Sequence, residues 1–186
     1  AIPDTLIWFF VQDRLQAAPA HEPLFLGSYF ISAAVTIPLW LKVVARIGLA
    51  RTWLCGMLLS IAVFIFASQL GAGDTVPFVL VCALSGIALG TDLTIPGALL
   101  AGLIARQGDQ GQSEGAYFGW WNFVTKLNLA LAAGVALPAL AWWGYAPGAR
   151  DPVALNALTV AYCLLPCGLK AIAAGLLYTL ILRRSP

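Results

Sequence analysis

Five long stretches of this chain are too apolar to lie in water. Residues 24–41 and 52–73 carry no charge at all, and residues 75–105, 115–149 and 152–182 carry one each, Asp92, Lys126 and Lys170. A helix needs about 20 mostly apolar residues to cross the hydrocarbon core of a bilayer, and these runs are that long or permit a tilted crossing. Pro38, Pro96, Pro138 and Pro166 fall inside them. Soluble helices tolerate internal proline poorly, whereas membrane helices accept it because neighbouring helices re-satisfy the freed backbone. A sixth apolar stretch, residues 1–12 with Asp4, is too short to span and is expected to be the last part of a helix whose beginning lies upstream of Ala1. The expected fold class is therefore an all-α membrane protein of six transmembrane helices, the first truncated.

Composition supports this class and excludes others. Of the 186 residues 61% are hydrophobic and only 10% charged, where soluble domains carry about 25%. Seven Trp, nine Phe and five Tyr suit a chain with two bilayer interfaces to anchor. A net charge of +2 offers no surface for nucleic acid. The short loops leave no room for an inserted soluble domain.

If the spans alternate, the loops fall on two sides. One side holds loops near residues 13–23, 71–74 and 146–151, with Arg14 and Arg150. The other holds loops near 42–51, 106–114 and the tail, with Lys42, Arg46, Arg51, Arg106, Arg183 and Arg184. The basic side is expected to be cytoplasmic, which places the C-terminus inside the cell. Gly86-x-x-x-Gly90 and Gly115-x-x-x-Gly119 have the spacing that lets helix backbones approach closely.

Ionisable groups within the spans carry the functional signal, because each costs at least about 2.5 kcal/mol in hydrocarbon and must face protein or water. On a helix, Asn122, Thr125 and Lys126 share a stripe with Phe118 and Leu129, beside the aromatic run Tyr117, Phe118, Trp120, Trp121 and Phe123. Hydrogen-bond donors among aromatic faces suit a hydroxyl-rich or anionic solute. Lys126 is thus the foremost candidate, with Trp121, Asn122 and Thr125. Asp92 shares a face with Ser85 and Pro96 and has three readings: a protonated acid, a cation ligand, or the partner of Lys126 or Lys170. Lys170 shares its stripe with Cys163, Pro166, Cys167 and Ala174, small residues that point to a helix–helix contact rather than a cavity, so Lys170 is read as one half of a structural ion pair. The role of Asp4 is open.

Cys163 and Cys167 stand one turn apart, but no third ligand follows them, so all four cysteines are read as packing residues and no metal site is expected. His21 lies in a polar loop. An intramembrane aspartyl pair of Asp4 and Asp92 would need a Gly-x-Gly-Asp signature at one of those acids, and neither carries it; His-Glu-x-x-His and a serine nucleophile with a base are missing. The chain is expected not to be an enzyme.

The stretch Glu114-Gly-Ala-Tyr-Phe-Gly-Trp-Trp-Asn-Phe-Val-Thr-Lys126 resembles the eleventh helix of the glycoside–pentoside–hexuronide cation symporters, the melibiose-permease-like family of the major facilitator superfamily. Gly90-Thr-Asp-Leu-Thr-Ile-Pro96 resembles that family's tenth helix, and Pro38-Leu-Trp-Leu-Lys-Val-Val-Ala-Arg-Ile-Gly48 its basic loop between helices eight and nine. The order and spacing of the spans match helices seven to twelve across residues 1–186. The resemblance implies that the chain is the C-terminal six-helix bundle of a twelve-helix transporter, with an N-terminal bundle of the same protein as its partner. It implies symport of a sugar- or glycoside-type solute with sodium or a proton, in a cell membrane (the bacterial inner membrane), with no further cofactor. It places Lys126 at the sugar and cation site and Trp121, Asn122 and Thr125 at neighbouring sugar-site positions. The chain departs from the family pattern where many members carry Asp-x-x-Asp-Tyr after the tenth helix: Ala101-Gly-Leu-Ile-Ala-Arg106 stands there. Two other readings remain: carriage of a lysolipid or other amphiphile within the same superfamily branch, and a non-transporting membrane assembly unit.

Overall fold

The computed structural model describes residues 2–108, 111 and 113–183, and for residues 2–5 and 137 the backbone only. All regular structure among the described residues is helical. Helix α1 (Ile2–Phe9) runs into a π-turn at Phe10–Arg14, followed by a single 3₁₀ turn at Pro19–His21. Then come α2 (Glu22–Ile47), α3 (Leu49–Ala67), α4 (Thr75–Gln107) and α5 (Glu114–Trp142). The last rod consists of α6 (Pro152–Thr159), a π-turn at Val160–Leu164, α7 (Leu165–Leu177) and a final π-turn at Tyr178–Leu182. Among the described residues, five helices are long and apolar enough to cross a membrane, the rod Pro152–Leu182 counting as one. These are the five long stretches of the sequence; α1 is the short sixth.

The helix ends differ from the apolar runs for local reasons. The basic segment expected as a loop near residues 42–51 is almost wholly helical: α2 carries Lys42 and Arg46 to its end, α3 begins at Leu49, and Gly48 alone makes the turn. Its φ of +84° is a left-handed value that favours glycine. Helix α3 stops at Ala67, short of the run's end at 73, where the Gly71 N–H donates to the Asp74 carboxylate at 2.9 Å. Helix α5 stops at Trp142, and residues 143–149 turn back through Gly144 and Gly148. The π-turn at Val160–Leu164 precedes Pro166, which lacks an N–H; the Leu165 N–H reaches back to the Val160 carbonyl instead.

The helices pack around α4. The pair α2–α4 is the most intimate, and Gly86 and Gly90 are the reason: a Cβ on Gly86 would collide with the Tyr29 carbonyl, and one on Gly90 would lie 3.1 Å from Trp40 Cδ1. Trp40 donates its indole N–H to the Ile87 carbonyl at 2.8 Å across the same seam. A Cβ added at Gly115 or Gly119 would meet nothing within 4 Å, so the second spacing makes no close approach among the described residues. Gly56 of α3 lets Thr91 of α4 bury completely. Toward one end, aromatic rings from four elements fill the core: Phe10 stacks on Tyr162 with centroids 4.4 Å apart, and Phe78 meets Phe25 edge-on at 5.0 Å. Met57, Ala174 and Leu177 form a smaller cluster between α3 and α7.

That aromatic end is closed by its loops. Asp13, buried at the end of the first π-turn, accepts the Tyr145 hydroxyl at 2.5 Å and the Gly148 N–H at 3.0 Å. Arg14 donates through Nε to the Leu70 carbonyl at 3.1 Å, and the Gly73 N–H donates to the Leu15 carbonyl at 3.1 Å. The loops expected on the less basic side thus meet one another, as alternating spans require. Burial, the hydrogen bond to Asp13 and its negative charge together push the Tyr145 phenol above its ordinary value. A raised phenol stabilises the fold while the unfolded tyrosine is still protonated, below about pH 10, and that contribution disappears as pH rises through the folded value. Helical signal followed against pH should therefore fall more steeply above about pH 10 in the wild type than in Tyr145→Phe. Asp13→Asn should cost about 1–3 kcal/mol, read as a lower thermal midpoint, since the carboxylate loses its charge-assisted bonds.

Candidate functional site

A cavity of about 690 Å³ lies within the bundle, lined by residues from every spanning element and from α1. Its walls are mostly apolar, with Ile7, Trp8, Phe30, Phe64, Leu89 and Leu169 among them. The polar side chains on its walls include Asp92 from α4, Lys170 from α7, and Thr125 and Asn128 from α5. An apolar chamber with a few placed polar groups is the usual form of a small-molecule site.

Asp92 and Lys170 form an ion pair, with Nζ 2.6 Å from Oδ2. The second carboxylate oxygen accepts the indole N–H of Trp53 at 3.0 Å. Asp92 is thereby held by groups from two other helices, α3 and α7. The side chains of Lys170 and Asp92 keep 28% and 31% of their surface exposed, so the pair is open to the cavity. Such a pair costs desolvation energy that a membrane helix avoids unless the charges face protein or water.

The sequence left Asp92 with two lysine partners to choose between; Lys170 is the partner in the structure. Lys170 forms an ion pair, as the sequence suggests, but also opens onto the cavity, which its stripe of small residues does not suggest. Cys163, Cys167 and Ala174 of its stripe are buried in helix contacts, and the Cys167 thiol donates to the Ile61 carbonyl at 3.6 Å. Pro166 and Cys167 of the same stripe line the cavity together with Lys170, so this face of the last rod serves both the helix contact and the chamber. The Asp4 side chain lies outside the described residues.

The stripe on α5 is divided. Thr125 lines the cavity and donates its hydroxyl to the Trp121 carbonyl at 2.8 Å, which leaves its oxygen able to accept. Lys126, one residue on, points about 100° away on the helix and does not line the cavity. Lys126, Asn122 and Trp121 are exposed, as is most of α5 between Glu114 and Leu131. Two participants went unrecognised in the sequence. Asn128 could have been found, since Trp121, Thr125 and Asn128 follow the spacing of a helix face. Trp53 could not: a tryptophan near a helix end reads as an interface anchor, and nothing local ties it to an acid 39 positions away.

A family model described as MFS/sugar transport protein matches residues 2–184. The chain belongs to this major facilitator family. Neither the curated proteins nor the solved structures gave a match. Membership in the MFS/sugar transport family accords with a multi-pass helical bundle holding a mostly apolar cavity with a few polar groups, and it points to transport of a small solute rather than to catalysis.

Proposed function

We propose that this chain is the C-terminal six-helix bundle of a cation-coupled symporter for a sugar- or glycoside-type solute, with an N-terminal bundle as its partner and its C-terminus in the cytoplasm. The observation that carries the reading is the cavity with its ion pair: Asp92 and Lys170 stand in an apolar chamber of about 690 Å³ that Thr125 and Asn128 also line. That volume accommodates a mono- or disaccharide, and the polar groups offer both donors and acceptors to hydroxyls. Two six-helix bundles that rock against each other expose such a site alternately to either side. The exposed face of α5 with Trp121, Asn122 and Lys126 is then the wall turned toward the second bundle, and the two half-sites close around the solute between them. The cytoplasmic assignment of the C-terminus rests on the six basic residues of one side against two on the other.

The test is uptake of radiolabelled glycosides by vesicles containing the complete protein, with sodium and pH varied independently. Uptake driven by one cation gradient is expected; indifference to every sugar and to both cations would sink the reading. Lys126→Ala should lower coupled uptake at least about tenfold, the loss of one charge-assisted hydrogen bond, while expression is unchanged. Unchanged uptake would remove Lys126 from the site.

A second reading has its own support. The cavity lining is mostly apolar, and Trp8, Phe30 and Leu93 are exposed, as the wall for an acyl chain would be. Lysolipid flip-flop in the same vesicles distinguishes an amphiphile carrier from a sugar symporter.

A further inference from the structure

The two ends of this bundle differ in charge. At the aromatic end Asp13, Glu22, Asp74 and Asp151 stand with Arg14 and Arg150. At the opposite end Lys42, Arg46, Arg51, Arg106 and Arg183 are all exposed, and Glu114 is the only acid among the described residues. Packing draws these five cations together from the ends of four helical segments. Lys42 and Arg46 lie one turn apart on α2 and so share a face. Gly48 turns the chain at once into α3, which carries Arg51. Helices α2 and α4 run in the same direction: Gly86 meets Tyr29 and Gly90 faces Ala33, two pairings of equal offset. Carried to the helix ends, that offset sets Arg106 level with Leu49. Ile181 packs with Ala50 and Leu54 around the Met57 cluster, so Arg183 emerges beside the start of α3. The helix dipole accounts for one cation in a last turn. Five cations facing one acid exceed that, and none of the five is in an ion pair among the described residues.

The same end offers apolar surface at the right depth. Leu41 and Leu103 are exposed, and each lies about one helical turn further into the bundle than Arg46 or Arg106 on its own helix. A molecule with a phosphate at the arginines and an acyl chain running inward along the leucines meets both features. We propose that this end of the bundle binds an anionic phospholipid, with its phosphate held by Arg46 and Arg51 across the Gly48 turn and its acyl chain against Leu41 and Leu103. Guanidinium forks take phosphate oxygens two at a time, and Lys42, Arg106 and Arg183 add attraction within a Debye length. A soluble phosphate would gain from the arginines but not from the leucines. The site is independent of the cavity and of whatever solute is carried.

The test uses the complete protein in nanodiscs of equal parts phosphatidylcholine and phosphatidylglycerol, with native mass spectrometry counting the lipids that stay bound on release. Phosphatidylglycerol is expected to be retained over phosphatidylcholine by at least about tenfold. Arg46→Gln/Arg51→Gln should hold about one phosphatidylglycerol fewer per protein, and Arg150→Gln, at the other end, the wild-type number. A wild-type arm needs no variant: in about 1 M salt, where the screening length is about 3 Å, the preference should largely vanish. Millimolar glycerol phosphate, which has the phosphate but no acyl chain, should displace none of the lipid. Equal retention of the two lipids, an unchanged count in the double variant, the same loss in Arg150→Gln, or a preference that survives high salt would each overturn the proposal. Displacement by glycerol phosphate would overturn it too and make free phosphate the ligand of the arginines.

Discussion

Gly86→Ala is expected to be among the most damaging single-methyl additions in this bundle. The Cβ it introduces would overlap the Tyr29 carbonyl, a backbone atom that cannot rotate away, and would crowd Ser32 at 3.2 Å. Helices α2 and α4 would have to separate along their whole seam, which also carries the Trp40–Ile87 hydrogen bond. Overpacking of this kind costs about 3 kcal/mol. In a protein of this size that corresponds to a drop of roughly 5–10 °C in thermal midpoint, measurable by light scattering or tryptophan fluorescence in detergent. Gly115→Ala and Gly119→Ala are the controls. Their Cβ atoms meet nothing within 4 Å, and alanine is the better helix former, so stability should be unchanged or slightly higher. Equal loss in all three would show that the α2–α4 seam is not the tight one.

The second large effect is expected at the ion pair. Asp92→Ala and Lys170→Ala each leave a charge in the cavity without its partner. A fully buried pair broken on one side costs about 3–5 kcal/mol, and the roughly one-third exposure of these side chains reduces that to about 1–3 kcal/mol. The double variant, which leaves no stranded charge, should recover most of the stability. Transport should behave otherwise: both single variants and the double variant are expected to lose coupled uptake by a factor of about 100 or more, since none of them keeps the intact pair on the cavity wall. Recovery of stability without recovery of uptake separates the functional pair from a merely structural one. Recovery of both in the double variant would assign Asp92 and Lys170 to folding alone.

Much of this protein is legible in one dimension. The apolar runs set the number and order of the long helices because a bilayer demands length and lack of charge, and both are local properties. The glycine pair at 86 and 90 and the rare charges at 92 and 170 were also visible, since each is costly where it stands and so requires a reason. Helix ends were less legible: α2 and α3 share the single turn residue Gly48, and the basic side chains around it stay helical because their long stems reach the interface without unwinding the backbone.

What the sequence determined, then, was a bundle of membrane helices holding a few expensive polar groups. Which of those groups meet was decided by the tertiary structure alone. Asp92, Lys170 and Trp53 come from three helices, up to 117 positions apart, and only helix packing brings them to one cavity wall. Thr125 and Lys126 are adjacent in sequence, yet packing turns one into the cavity and leaves the other on the exposed face of α5. The physical reason is that a helical period places side chains on faces, whereas the identity of the neighbour opposite each face depends on crossing angles and close approaches such as that at Gly86, which no stretch of sequence encodes by itself.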